Sequence, residues 1–327
     1  MNLQKLFFVV LLIFVSGCVH GAQTTSGGDL GSGLIGTDKG IIFEMSGLPP
    51  AISSSQAFEL EVSATNAGSY SVNSEDVRVS LSNSKSFDFL LNEDFQQIVS
   101  GENGLTNNNI LLKSLDTDVL GDSALFLFEE LSYKTKPTQD VQVPLTVDTC
   151  YYYNTVASVN VCVAKDTSSE ICSSREAKTV VNQGAPVKVS GFEQISSLGN
   201  SNIITSNIRI DVATVGDGKF ESYSTGNPDK TLSCTHPSDD VRLNTVRLKS
   251  IKIGSQETIT GENIVDICGT DLINLDEAGK GSVNCNGVTL YSQYSDSIGD
   301  FEERMVITLD YLNSDSITGN LNVLALW

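Results

Sequence analysis

Apolar and polar residues alternate along most of the chain beyond residue 40. Phe58, Leu60, Val62 and Ala64 alternate with Glu59, Glu61 and Ser63, and Val77, Val79 and Leu81 with Arg78 and Ser80. Ile208, Ile210 and Val212 do the same with Arg209 and Asp211. Val246 and Leu248, then Ile251 and Ile253, repeat the pattern around Arg247, Lys249 and Lys252, and Leu321, Val323 and Ala325 carry it to the last residues. A period of two gives each strand one apolar and one wet face, the mark of antiparallel sheets packed in layers. Clusters of Asn, Ser, Gly and Asp between the runs supply the turns. Short helices are expected only within Leu90–Val99 and part of Asp271–Ala278. The predicted fold class is all-β.

The first residues break this pattern. Lys5 precedes ten unbroken apolar residues, Leu6 to Val15, followed by Ser16, Gly17 and Cys18. A charged start, a short apolar run and small residues before a break are the parts of a secretory signal. As a helix the apolar run rises about 15 Å, roughly half of a bilayer's hydrocarbon core, so a permanent span is disfavoured. Val15-Ser16-Gly17-Cys18 resembles the lipobox of secreted lipoproteins, which implies cleavage before Cys18 and lipid attachment to its thiol. Plain secretion, with cleavage near Ala22, is the alternative. Residues 1–17 are thus read as a signal peptide. Residues 18–39, rich in glycine and without a sustained apolar period, are read as a lipid-anchored flexible tether.

Two stretches of the body look alike. Phe43 to Val72 and Val187 to Phe220 each hold a strand ending in Ser-Gly, an Ile-Ser-Ser step and an alternating strand closed by a glycine turn. The copies lie too far apart for a solenoid repeat and suit duplicated domains. A polar break at Asn182-Gln183-Gly184 sets the boundary, giving domains 40–183 and 184–327. The repeated unit resembles the immunoglobulin-like modules of bacterial and archaeal surface proteins. That resemblance implies two tandem immunoglobulin-like β-sandwich domains. A second set of residues comprises Cys150-Tyr151-Tyr152-Tyr153 with Thr155 and Ala157, Val161-Cys162-Val163, Cys172 and Gly184-Ala185-Pro186-Val187. With Leu309-Asp310-Tyr311 and Ser316-Ile317, it resembles a pattern in uncharacterised archaeal secreted proteins. The resemblance implies placement and architecture and carries no activity.

Setting Cys18 aside leaves six cysteines, which in an exported chain read as three disulfides with about 15 possible connectivities. Cys162 and Cys172 flank a hairpin-like turn, and Cys268 and Cys285 flank another polar stretch of the same kind. Cys150 and Cys234 then remain as a bridge between the halves, locking them together. A metal site is the competing reading. No Cys-x-x-Cys pair occurs, and no histidine lies near Cys150, Cys162 and Cys172, so no metal and no cofactor are expected.

Charge narrows the partners. Forty acidic residues face 20 basic ones, a net charge of −20. Nucleic acid is excluded, since its binders need a basic footprint to displace phosphate counterions. Candidate chemistry is sparse. His236 lies in the polar segment Cys234-Thr235-His236-Pro237-Ser238-Asp239-Asp240, and no Gly-x-Ser-x-Gly elbow accompanies it; His20 falls in the tether. Asp116, Asp118 and Asp122, Asp217 beside Gly218, and Asp276 with Glu277 could present oxygens to calcium, but none follows the full loop pattern. Tyr151 and Tyr153 point to one strand face and Tyr152 to the other, so they form no single sugar-stacking platform.

The expectation is a non-catalytic envelope protein at the outer face of the cell membrane, held there by lipid and meeting an envelope or surface protein. Its role is structural or adhesive, through sandwich-end loops or an exposed edge strand; Leu321–Trp327 is a candidate for the latter, with burial as the last sandwich strand the favoured reading of it. The alternatives are a small-ligand or carbohydrate-binding lipoprotein and, after that, an envelope hydrolase.

Overall fold

The structure, a computed structural model, describes residues 38–327 except 74–75, 83–85, 89–94, 97, 102–109, 112–119, 166–168, 201, 216–217, 223–233, 235–241, 294–298 and 326–327. Its strands run β1 (Ile41–Ser46), β2 (Ala51–Ser53), β3 (Phe58–Asn66), β4 (Val72–Asn73), β5 (Val77–Leu81), β6 (Phe87–Asp88), β7 (Phe95–Gln96), β8 (Ile98–Gly101) and β9 (Ile110–Leu111). There follow β10 (Ser123–Tyr133), β11 (Val141–Val163), β12 (Glu176–Lys178), β13 (Val180–Asn182), β14 (Val187–Asn200), β15 (Ile203–Thr214) and β16 (Lys219–Ser222). The last are β17 (Arg242–Leu243), β18 (Thr245–Ile253), β19 (Ile259–Thr260), helix α1 (Glu262–Cys268), β20 (Leu272–Asn274), β21 (Lys280–Tyr291) and β22 (Phe301–Leu324). The all-β class read from the alternation is the class found. Among the described residues, no helix is long and apolar enough to cross a membrane.

One sheet orders β1-β3-β10-β6, with β8 also on β10. The largest orders β17-β16-β22-β11-β5-β7, with β13 on β11 and both β2 and β18 on β22. A third orders β12-β14-β15-β21, and β4 with β9 makes a small ribbon. The alternation assigns the faces. In β11, every odd position from Leu145 to Val161 is buried. In β3, Leu60, Val62 and Ala64 are inward and their neighbours are not. In β18 the phase slips between Val246/Leu248 and Ile251/Ile253, and the ladder to β22 shifts register between Leu248 and Ser250. A bulge there keeps all four side chains in the core.

All 23 residues of β11 pair antiparallel with β22, from Val141 opposite Val323 to Val163 opposite Phe301, without a register shift. That is about 75 Å of strand if fully extended. This ladder crosses the expected division at residue 183. The two halves are not separate beads, because β11 belongs to one and β22 to the other. One apolar core runs from Ile41, Leu60 and Phe126 through Val147 and Tyr153 to Ile208, Val283 and Leu309, and Gly33–Trp327 forms one compact unit.

The two similar stretches also part company. The first Ile-Ser-Ser step is β2, which leaves β1 to pair parallel with β22 and buries Ile52. The second lies inside β14, which hairpins directly to β15, and Ile195 is exposed. Among the described residues, neither expected helix forms as drawn. Within Leu90–Val99, Phe95–Gln96 is a strand on β5, and a strand on β10 begins at Ile98. Within Asp271–Ala278, Leu272–Asn274 pairs with β18, and Asp276 Oδ1 accepts the N–H groups of Ala278 and Lys280 to make a turn. The helix lies just upstream, where Ile264 is buried and Ile267 and Cys268 pack on the core at helical spacing. It closes at Gly269 (φ +75°), whose N–H bonds the Val265 carbonyl.

Candidate functional site

The residues singled out between Cys150 and Val187 and around Tyr311 converge on the β11–β22 seam. Alternation turns Tyr151 and Tyr153 inward and leaves Tyr152 on the other face. Register sets Tyr153 opposite Tyr311 and Tyr151 opposite Asn313. Along the outer side of β11, β5 pairs as far as Tyr151 and β13 begins at Ala157. The turn after β3 comes in beside the gap between them. The Tyr70 N–H donates to the Tyr153 hydroxyl (3.1 Å). The buried Asn66 donates from Nδ2 to the Tyr70 carbonyl (2.7 Å), and its Oδ1 accepts the Gly68 N–H (3.1 Å). Ser69 donates both its N–H and its hydroxyl to the Gly184 carbonyl, at 2.8 and 2.9 Å.

Gly184-Ala185-Pro186-Val187 is held from the other side. Thr155 Oγ1 donates to the Val187 carbonyl (2.7 Å) and lies 3.1 Å from the Tyr311 hydroxyl, which accepts the Val187 N–H (3.3 Å). Residues 38 and 39, just ahead of β1, are fixed to the same cluster. Tyr151 donates to the Lys39 carbonyl (3.3 Å) and accepts from Asn313 Nδ2 (2.8 Å), while Lys188 pairs with Asp38 (2.6 Å). Burial pushes the phenols of Tyr151, Tyr153 and Tyr311 well above the ordinary tyrosine range.

On the opposite face the cluster is charged. Asp310 is fully buried and receives Arg247 in bidentate fashion, Nε at 2.7 Å and Nη2 at 2.5 Å. The Tyr152 hydroxyl lies 3.0 Å from Asp310 Oδ2 and 2.9 Å from Asn154 Oδ1, and accepts from Lys249 Nζ (3.0 Å). Burial, then the Asp310 charge, raises the Tyr152 phenol strongly. Tyr70 meets both Tyr152 and Tyr153 edge to face, at 6.0 and 5.4 Å between centroids. At neutral pH these phenols are therefore protonated, and each hydroxyl is bound to partners. Chemically, the cluster is a fixed hydrogen-bond node joining β3, β11, β22 and the segment at 184–187.

The structure joins Cys150 to Cys234 and Cys162 to Cys172, with Cα atoms 5.8 and 5.5 Å apart, and Cys268 to Cys285. The Cys268–Cys285 bridge pins α1 to β21. Next to Cys162–Cys172, the buried Gln194 replaces a missing strand neighbour. Its Oε1 accepts the Cys162 N–H (2.9 Å), and its Nε2 donates to the Cys162 carbonyl (2.8 Å). No local signal in the sequence marks Gln194, Asn66 or Asn313 for these roles. Their work depends on strands distant in the chain.

The lipid-attachment candidate Cys18, the signal and nearly all of the tether, His20, His236, Asp116, Asp118, Asp217 and Trp327 lie outside the described residues. Among the described residues, no group of three or more His, Cys, Asp or Glu side chains is placed to hold a metal ion. The edge-strand candidate at the end of β22 is paired on both sides, with β11 and with β2, and Leu321 and Val323 are buried.

No family model and no curated protein matches the chain. Among solved structures, it aligns with the crystal structure of collagen adhesin (CNA) from S. aureus at 8% identity, over 88% of this chain and 94% of that one. The TM-score is 0.13, too low to bear on fold or function.

Proposed function

We propose that this chain is an exported envelope protein, anchored by lipid on Cys18, whose work is structural or adhesive and proceeds through protein–protein contacts without catalysis. The observation that carries the reading is the braced seam. A 23-residue ladder, closed by a buried hydrogen-bond node, is combined with three disulfides, the crosslinks of an oxidising compartment. Such a body resists deformation and presents fixed surfaces. The root of its tether is tied to the seam at Lys39, so load arriving through the anchor reaches the stiffest part of the fold. The acidic excess keeps such a surface dispersed and disfavours unspecific contact with anionic membranes.

The test is an intact mass of membrane-extracted protein, alkylated without reduction, followed by binding of that protein to isolated envelopes. The expected mass is residues 18–327 plus lipid with no alkylated thiol, and binding should saturate and vanish when the envelopes are first treated with protease. An unprocessed chain with alkylated cysteines would remove the reading. Binding that survives the protease would refute a protein partner.

A further inference from the structure

β16, β22, β11 and β5 lie side by side, and their registers set four residues in one row across the sheet. Arg78 stands opposite Cys150, Cys150 opposite Ser314, and Ser314 opposite Lys219. The row spans about 14 Å between its ends, three interstrand spacings. It crosses an open groove of about 440 Å³, within the range of small-ligand sites. Cys150, Cys234 and Leu312 pack together as an apolar floor. The rows on either side place Asp148 near the Arg78 end and Glu221 near the Lys219 end. Arg78 is held in place by donating Nη1 to the Cys234 carbonyl (3.3 Å). Lys219 and Glu221 stand two apart on β16 and so share one face of the sheet, and burial raises the Glu221 carboxyl while the Lys219 charge pulls it down.

This distribution selects a ligand class. An anionic ligand meets Asp148, Glu221 and Asp315, and a cationic one meets Arg78 and Lys219, each at unfavourable contacts within the open groove. A hydroxyl group satisfies both signs, because it accepts from a guanidinium or ammonium and donates to a carboxylate. The hydroxyls of Ser80, Ser314 and Ser316 add partners of the same kind along the groove. The disulfide and Leu312 offer the apolar surface against which the C–H face of a sugar ring can rest. We propose that this groove binds a neutral saccharide, in a site that adjoins the tyrosine node at Tyr152 and is independent of the protein contacts proposed above.

The experiment uses the membrane-extracted protein in detergent. Saturation-transfer NMR and calorimetry would be run with maltotriose, mannotriose and chitotriose as neutral probes, and with trigalacturonate and trilysine as charged ones. At least one neutral trisaccharide should bind saturably, about tenfold or more tighter than either charged probe. The double variant Lys219→Ala/Glu221→Gln, which leaves the node and the disulfides untouched, should weaken that binding about tenfold with an unchanged circular dichroism spectrum. Saturation transfer with glycan released from isolated envelopes identifies the sugar's source: a signal that the bound trisaccharide displaces means an envelope-attached glycan, and no signal a free one. Absence of saturable binding by all three neutral probes would overturn the proposal. So would preference for a charged probe, or binding that the double variant leaves unchanged. None of these outcomes bears on the anchor or the disulfides, so the envelope reading stands or falls separately.

Discussion

A Cβ placed on Gly68 would stand 1.9 Å from the Tyr153 hydroxyl oxygen, so the turn after β3 meets the seam at a point where residue 68 can carry no side chain. Gly68→Ala is therefore expected to cost about 1–3 kcal/mol through overpacking. Tyr153→Phe, which removes the closest atom, should make the second change less costly than it is in the parent. Urea denaturation of the two single variants and the double variant gives the coupling. Additive losses would show that the contact is relieved elsewhere.

The Arg247–Asp310 pair predicts an asymmetry. Asp310→Ala leaves the guanidinium largely buried without its carboxylate, a loss of about 3–5 kcal/mol. Arg247→Met combined with Asp310→Ala removes both charges and should recover part of that loss. Denaturation midpoints compare them directly, and a double variant weaker than Asp310→Ala would contradict the account.

The buried phenols make stability depend on alkaline pH. Tyr151, Tyr152, Tyr153 and Tyr311 have folded pKa values raised above the ordinary 10.0. The native state thus holds protons that the unfolded state releases. Their contribution is complete below about pH 10 and declines as pH rises above it. Thermal midpoints should be flat through neutral pH and fall beyond that point. Tyrosinate absorbance should rise abruptly with unfolding. A smooth titration of all tyrosines in the folded protein would refute the burial of their hydroxyls.

Among the disulfides, Cys150–Cys234 joins residues 84 apart, against 10 for Cys162–Cys172. In the loop-entropy account, that difference makes its removal the costlier by about 2 kcal/mol. Paired Cys→Ser variants, compared by chemical denaturation, check the order. Equal losses would point to native-state contacts as the dominant effect.

Local structure was legible where it depends on local pattern. The two-residue period set the inward faces of β3, β5 and β15, and the phase slip before Ile251 is the bulge in β18. The opposed faces of Tyr152 and its neighbours follow from the same rule. The helix at Glu262–Cys268 had a usable signal in Ile264, Ile267 and Cys268, spaced three and four apart between Gly261 and Gly269. What alternation could not supply was the partner of each strand. β11 and β22 each read as ordinary two-faced strands, and nothing in either names the other. Placing a boundary at residue 183 followed from reading the halves separately. The same limit hid the node, because Asn66, Gly68, Thr155, Val187 and Tyr311 meet only once those distant strands are paired.

The ladder between β11 and β22 also fixes an order of events. β22 leaves the ribosome after every strand it must pair with, and partners such as Val141 and Val323 are far apart along the chain. Until β22 arrives, β11 has one long edge open and Tyr153 lacks Tyr311 across from it. Contacts of such sequence separation form slowly. The central sheet therefore closes only after Phe301–Leu324 has been made, however early the other strands have paired.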